Sequence, residues 1–259
     1  LKYNEALGIG LVMALRRRDT KHWRAFALTP ADDGYRAEML AKLPFALTDG
    51  QQRVIRDIDH DIARPEPMTR LLQGEVGSGK TLVAVAAMLS AVDAGHQAAL
   101  LAPTEVLAHQ HARSIAAMLP EDIRLTVLSG SMKVAEKRQA LLDIVSGQAD
   151  IVIGTHAIIQ ESVEFFSLGF VVIDEQHRFG VEQRDSLRLK APEGTFPHVL
   201  VMTATPIPRT IAMTVFGDLE VSSLHELPGG RKPIQSSVVP EGKPAWVRRA
   251  WQRIREEVA

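Results

Sequence analysis

A chain of 259 residues that is 24% charged and 46% hydrophobic has ordinary globular composition, which excludes the disordered and fibrous classes. It has no cysteine, which rules out disulfide scaffolds, cysteine-ligated zinc and thiol nucleophiles, and no apolar run nears the roughly 18 residues of a membrane-spanning helix. The net charge of −1 conceals basic ends: residues 1–28 and 229–259 are each +4 and the 200 between them −9, so any nucleic-acid contact has to be local rather than a basic coat.

In chain order, Leu1–Arg24 sets Leu7, Leu11, Ala14 and Leu15 at helical spacing beside the run Arg16, Arg17, Arg18, which predicts an amphipathic helix. Pro30, Asp32, Asp33 and Gly34 break it, and a short helix is expected before Pro44. From Thr48 the pattern alternates regularly. Helices are expected over Gln51–Ala63, Gly79–Ala94, Glu105–Met118 and Val134–Val145. Strands are expected over Thr69–Gln73, Gln97–Ala102, Arg124–Leu128, Asp150–Gly154, Phe170–Asp174 and Val199–Thr203. Runs such as Ile151, Val152, Ile153 and Phe170, Val171, Val172, Ile173 are continuously apolar rather than alternating, which means burial on both faces. The expected fold is therefore α/β, a parallel sheet with helices on both sides. Near Leu227, Pro228, Gly229, Gly230 and Arg231 the pattern lapses into a linker. One apolar stretch (Ile234–Val239) and one helix (Pro244–Val258) then follow, too little to bury a core of their own. The expected division is a helical connector over 1–44, a main lobe over 45–228, and a linker with the start of a truncated second lobe over 229–259.

Gly74, Glu75, Val76, Gly77, Ser78, Gly79, Lys80 and Thr81 fit G-x-x-x-x-G-K-[ST], between a strand and an Ala-rich helix. Glycines let backbone N–H groups curl round a phosphate, and the helix adds its positive N-terminal end. Lys80 is placed to neutralise the β- and γ-phosphates of ATP, and the Thr81 hydroxyl to bind Mg²⁺. A second feature, Val171, Val172, Ile173, Asp174, Glu175, Gln176, His177, puts two adjacent carboxylates at the C-terminal end of a buried strand, the edge where open parallel sheets bind ligands. Asp174 suits Mg²⁺, and Glu175 suits orienting and polarising the attacking water.

These residues carry a family resemblance. Asp174–His177 reads D-E-x-H, and Thr203, Ala204, Thr205 resembles motif III of superfamily 2 helicases and translocases. Ala102–Gln110 resembles their motif Ia, and Gly154, Thr155, His156, Ala157 the motif preceding the carboxylate box. More narrowly, Glu175–Arg184, Met202–Thr210, Leu43–Thr48 and Leu227–Pro233 resemble the RecG family, bacterial translocases that remodel branched double-stranded DNA at stalled forks and at recombination intermediates such as Holliday junctions. The resemblance implies a RecA-like ATPase lobe of a cytoplasmic helicase in replication-coupled repair and recombination. It also implies that the family's wedge domain and second motor lobe, with a catalytic arginine, lie outside these 259 residues.

By the same resemblance Gln51 would read adenine, Phe45 would pack on the base, His177 would link the carboxylate box to motif III, and Pro103, Thr104 and Glu105 would open a helix toward a DNA phosphate. Arg178 and Arg209 stay open between DNA contact, a relay between motifs and a surface salt bridge. The transcription-repair coupling translocase shares much of the Asp174 and Thr203 stretches and is one alternative. Others are a nucleotide-gated binding module without hydrolysis and a small-molecule phosphotransferase.

Overall fold

The computed structural model describes residues 23–160, 162–174, 186, 190–192, 194–205, 219–226 and 238–258. The chain divides into two compact units, Leu1–Pro228 and Gly229–Ala259. In the first unit the described elements are α1 (Tyr35–Ala41), α2 (Asp49–Ile62), β1 (Thr69–Gly74), α3 (Lys80–Asp93), β2 (Gln97–Leu101), α4 (Glu105–Ala116), β3 (Leu125–Leu128) and α5 (Val134–Val145). They continue with β4 (Ile151–Gly154), a short 3₁₀ turn (His156–Ile159), β5 (Leu168–Asp174), β6 (His198–Thr203) and β7 (Glu220–Leu224). Within the second unit α6 spans Pro244–Val258, with Trp246, Trp251 and Ile254 exposed and an Arg253–Glu257 ion pair one turn apart.

The strands form one sheet in the order β3-β4-β2-β5-β6-β1-β7, every pairing parallel. Alternate residues of each strand face opposite layers, as the two-residue period of a strand requires. Leu72, Ala98, Leu100, Phe170, Val172 and Leu200 join one core with α2, α3 and α4. Leu71, Ala99, Leu101, Val171, Ile173 and Val201 join the other with α5. This double-sided burial is why the strands are continuously apolar. Helix α3 is buried from Leu82 through Ala91, and its alanines let it lie close on the sheet.

The sheet has one strand more than the pattern predicts. Glu220, Val221, Ser222, Ser223, Leu224 forms the edge strand β7, whose serine hydroxyls accept from Arg70 and Gln73 of β1, so they are paired and no apolar run betrays the strand. The helix expected over Leu1–Arg24 lies almost wholly outside the described residues, and its last two positions, Trp23 and Arg24, are not helical. The apolar stretch Ile234–Val239 likewise falls mainly outside them.

Residues 23–28 cross the end of the sheet where the strands begin. Arg24 bridges to Thr195, the Ala25 N–H donates to Pro65 O, and the Leu28 N–H donates to Ile62 O. Trp23 stacks on Phe196 and Phe26 on His96. His198, fully buried, fastens the middle of this strap: its Nε2–H donates to Phe26 O at 2.7 Å while Nδ1 accepts from the Met68 N–H at 3.0 Å. Helix α1 is held next to it by Asp93, whose carboxylate accepts from the Tyr35 N–H, and by Arg36 forked onto Asp59. A Cβ at Gly34 would come within 2.5 Å of that Asp93 carboxylate and push it off the Tyr35 N–H.

Candidate nucleotide-binding site

All seven parallel strands point their C-terminal ends to one edge, and the motif residues gather there. β1 feeds the loop Gly74–Gly79, and α3 begins at Lys80. Gly77 and Gly79 sit at φ 84° and 87°, the left-handed region where a side chain is strained. A Cβ at Gly79 would also meet the Gln51 amide at 2.2 Å. Lys80 folds back over the loop, its Nζ donating to Gly74 O at 2.6 Å and to Glu75 O at 2.9 Å. Thr81 stands in the first turn of α3.

The Ser78 hydroxyl is buried without a hydrogen-bond partner, the sole such side-chain atom among the described residues. Buried hydroxyls are ordinarily paired, since leaving one unmet costs about 1–3 kcal/mol. This one stands inside a glycine loop at a helix N-terminus, a place where backbone N–H groups are free to meet an anion.

Asp174 ends β5, two strands from β1 with β6 between them. At a strand spacing of about 4.8 Å, β5 runs roughly 10 Å across the sheet from β1. Between them, at the end of β6, Thr203 is buried and its hydroxyl oxygen accepts from the Thr205 N–H at 3.2 Å, making a tight turn of the Thr203–Thr205 motif. Asp174 is held by a residue that motif reading passed over. His111 on α4 donates its Nε2–H to Asp174 Oδ2 at 2.7 Å, both side chains about 15% exposed. Only the helical stripe Ala108, Ala112, Ile115, which faces the sheet and includes position 111, could have signalled it.

Gln51, expected to read adenine, is turned inward here. It is 1% exposed and its amide is engaged inside the protein. Oε1 accepts from the Thr48 N–H at 3.0 Å, Nε2 donates to Ser78 O at 3.0 Å, and the Gln51 N–H donates to Thr48 Oγ1. This is a capping box at the start of α2 that also grips the phosphate loop from behind. Glu226, just after β7, accepts from the Gly50 N–H; this bond and the Thr48 hydroxyl hold its carboxyl below the usual carboxylate range. Phe45 is 53% exposed, so it is no core aromatic.

Thr104 caps α4, its Oγ1 accepting from the Leu107 N–H, and Glu105 accepts from the Ser131 N–H, tying α4 to the loop after β3. Hydrogen bonding from Ser131 keeps the Glu105 carboxyl low. Thr155 caps the 3₁₀ turn. Glu175, His177, Arg178 and Arg209 lie outside the described residues. Among the described residues no cluster of three His, Asp or Glu could hold a metal alone, and no helix is long and apolar enough to cross a membrane.

A glycine phosphate loop after one strand of a parallel sheet and a carboxylate at the end of another define the nucleotide-binding lobe of a P-loop NTPase. A family model described as DEAD/DEAH box helicase matches residues 48–214, and the chain belongs to that family. It is similar to proteins named ATP-dependent DNA helicase RecG. To the one from Mycobacterium leprae it is 54% identical, covering 100% of this chain and 37% of that protein. To the one from Aquifex aeolicus it is 42% identical, covering 99% and 32%. A solved structure of RecG bound to a three-way DNA junction superposes with a TM-score of 0.83 at 37% identity, covering 99% of this chain and 34% of that one. The RecG-like motor lobe and parallel-sheet fold expected from the motifs are what these comparisons show. The chain spans about a third of the length of the relatives it matches.

Proposed function

We propose that these residues form the ATP-binding motor lobe of a cytoplasmic double-stranded DNA translocase that remodels branched DNA in replication-coupled repair and recombination. The glycine loop that wraps the start of α3, with Gly77 and Gly79 left-handed and the Ser78 hydroxyl unpaired inside it, supports the phosphate-binding half of this reading. The RecG relatives supply the nucleic-acid half, and they favour branched DNA over the transcription-repair coupling role.

In this reading backbone N–H groups of Gly77–Lys80 and the Ser78 hydroxyl cradle the phosphates, and Lys80 exchanges its two carbonyl partners for the β- and γ-oxygens. Gly74, Glu75 and Val76 form the rim of the loop. Mg²⁺ would be held by Thr81 and Asp174 and would supply charge neutralisation; one carboxylate, one hydroxyl and phosphate oxygens are a fitting donor set for it. Glu175 orients and polarises the attacking water. Phe45, exposed, packs on the base, while Gln51 acts by holding the loop and reaches adenine only by giving up an internal bond. A second lobe closes on this one, bringing the family's arginine to the γ-phosphate, and a wedge domain selects the branch.

The test is the ATPase of the complete protein on forked against linear duplex DNA, with Glu175→Gln and Asp174→Asn beside it. Fork stimulation is expected. Glu175→Gln should bind Mg·ATP without hydrolysing it, whereas Asp174→Asn should lose the metal-dependent part of binding. Turnover indifferent to DNA would point to a phosphotransferase, and wild-type ATPase in Glu175→Gln would remove that residue from the chemistry.

A further inference from the structure

We infer that His111 is a positioning residue for the metal-holding carboxylate, fixing Asp174 through its Nε2–H. The inference deepens the proposed function and rests on Asp174 being a Mg²⁺ ligand. On α4 the inward stripe is Ala108, Ala112 and Ile115, all buried, while His109 and Gln110 face solvent. His111 is the one imidazole on the sheet side of this helix, and an imidazole there needs a polar partner to offset its burial. Asp174, an acceptor when ionised, is that partner at 2.7 Å, so the ring nitrogen facing it carries the proton.

The contact engages one of the two carboxylate oxygens and so sets the plane in which the other is presented. Helix α4 makes this support rigid. Its first turn is capped by Thr104 and tied to the loop after β3 by Glu105, and its body packs under the strand ends. Hydrogen bonds that orient a ligating carboxylate are worth about 10–100-fold in metal affinity when removed. A histidine present only to fill the stripe would contribute nothing to metal affinity.

The test is Mg²⁺ titration of the binding of a fluorescent, non-hydrolysable ATP analogue to residues 1–259, with EDTA as the zero point. Wild type, His111→Ala, His111→Phe, His111→Gln and Asp174→Asn are compared, and far-UV circular dichroism checks each fold. Phenylalanine keeps the packing of the stripe but cannot donate, so it also serves if alanine fails to fold. Glutamine returns an N–H near the position of Nε2. The expected result is a Mg²⁺ midpoint raised about 10–100-fold in the alanine and phenylalanine variants. Glutamine should recover most of that loss, and binding in EDTA should be equal in all three. A wild-type midpoint in a folded His111→Phe, with the midpoint lost in Asp174→Asn, overturns the role of His111 and leaves the metal reading standing. A wild-type midpoint in Asp174→Asn overturns the metal reading, and the role of His111 with it.

Discussion

Lys80, Ser78 and Gln51 meet at one loop, Phe45 precedes Gln51 by six residues, and the four are expected to divide the work unequally. Lys80 donates to Gly74 O, which is partly buried, and to Glu75 O, which is exposed to water. Lys80→Ala is therefore expected to abolish binding of a fluorescent ATP analogue while leaving thermal unfolding without nucleotide nearly unchanged; retained affinity would remove the loop from nucleotide binding. Gln51 and Phe45 should show the opposite split. Gln51→Ala deletes the capping box and strips Ser78 O of its buried donor, so urea unfolding should show a loss of about 1–3 kcal/mol. Phe45→Ala, at a half-exposed site, should cost under about 0.5 kcal/mol yet weaken nucleotide binding severalfold. Equal stability losses in the two variants would contradict this division.

At the scale of elements, the strap over residues 23–28 is fixed by one neutral histidine. Burial pushes His198 down to about 4, the largest cause, outweighing its bond to Phe26 O and the field of Asp61. Its folded value lies below the unfolded one near 6.5, so protonation favours unfolding. The contribution is complete above about pH 6.5 and is lost as pH falls toward 4, by about 3 kcal/mol in all. Urea unfolding between pH 7 and pH 4.5 should therefore fall more steeply for wild type than for His198→Gln; parallel curves would contradict the latch. Legibility also varies by element. Strands buried on both faces announce themselves as apolar runs, and the phosphate loop and its carboxylate are visible because chemistry fixes their spacing. β7 was hidden because an edge strand needs no apolar run. Gln51 carries a second role that its residue type does not distinguish, because an amide suited to adenine is equally suited to a capping box, and the pairing of His111 with Asp174 joins residues 63 positions apart, which no local pattern encodes.

At the scale of the molecule, a parallel sheet gathers the glycine loop, Asp174 and the Thr203–Thr205 turn on one edge, and in the proposed function that edge is one wall of a cleft closed by a second lobe. Charge grows on the γ-phosphate during hydrolysis, and this lobe offers Lys80 and the metal site against it. An arginine arriving from a second lobe is worth about 10³–10⁵ in rate. The most direct measurement is steady-state ATPase of residues 1–259 beside the complete protein, with and without forked DNA, together with nucleotide binding by both. Residues 1–259 are expected to bind the nucleotide through Lys80 yet turn it over about 10³–10⁵-fold more slowly than the complete protein, without response to DNA. A full, fork-stimulated rate from residues 1–259 would contradict this and place the catalytic arginine within this chain, with Arg178 and Arg209 the first to replace.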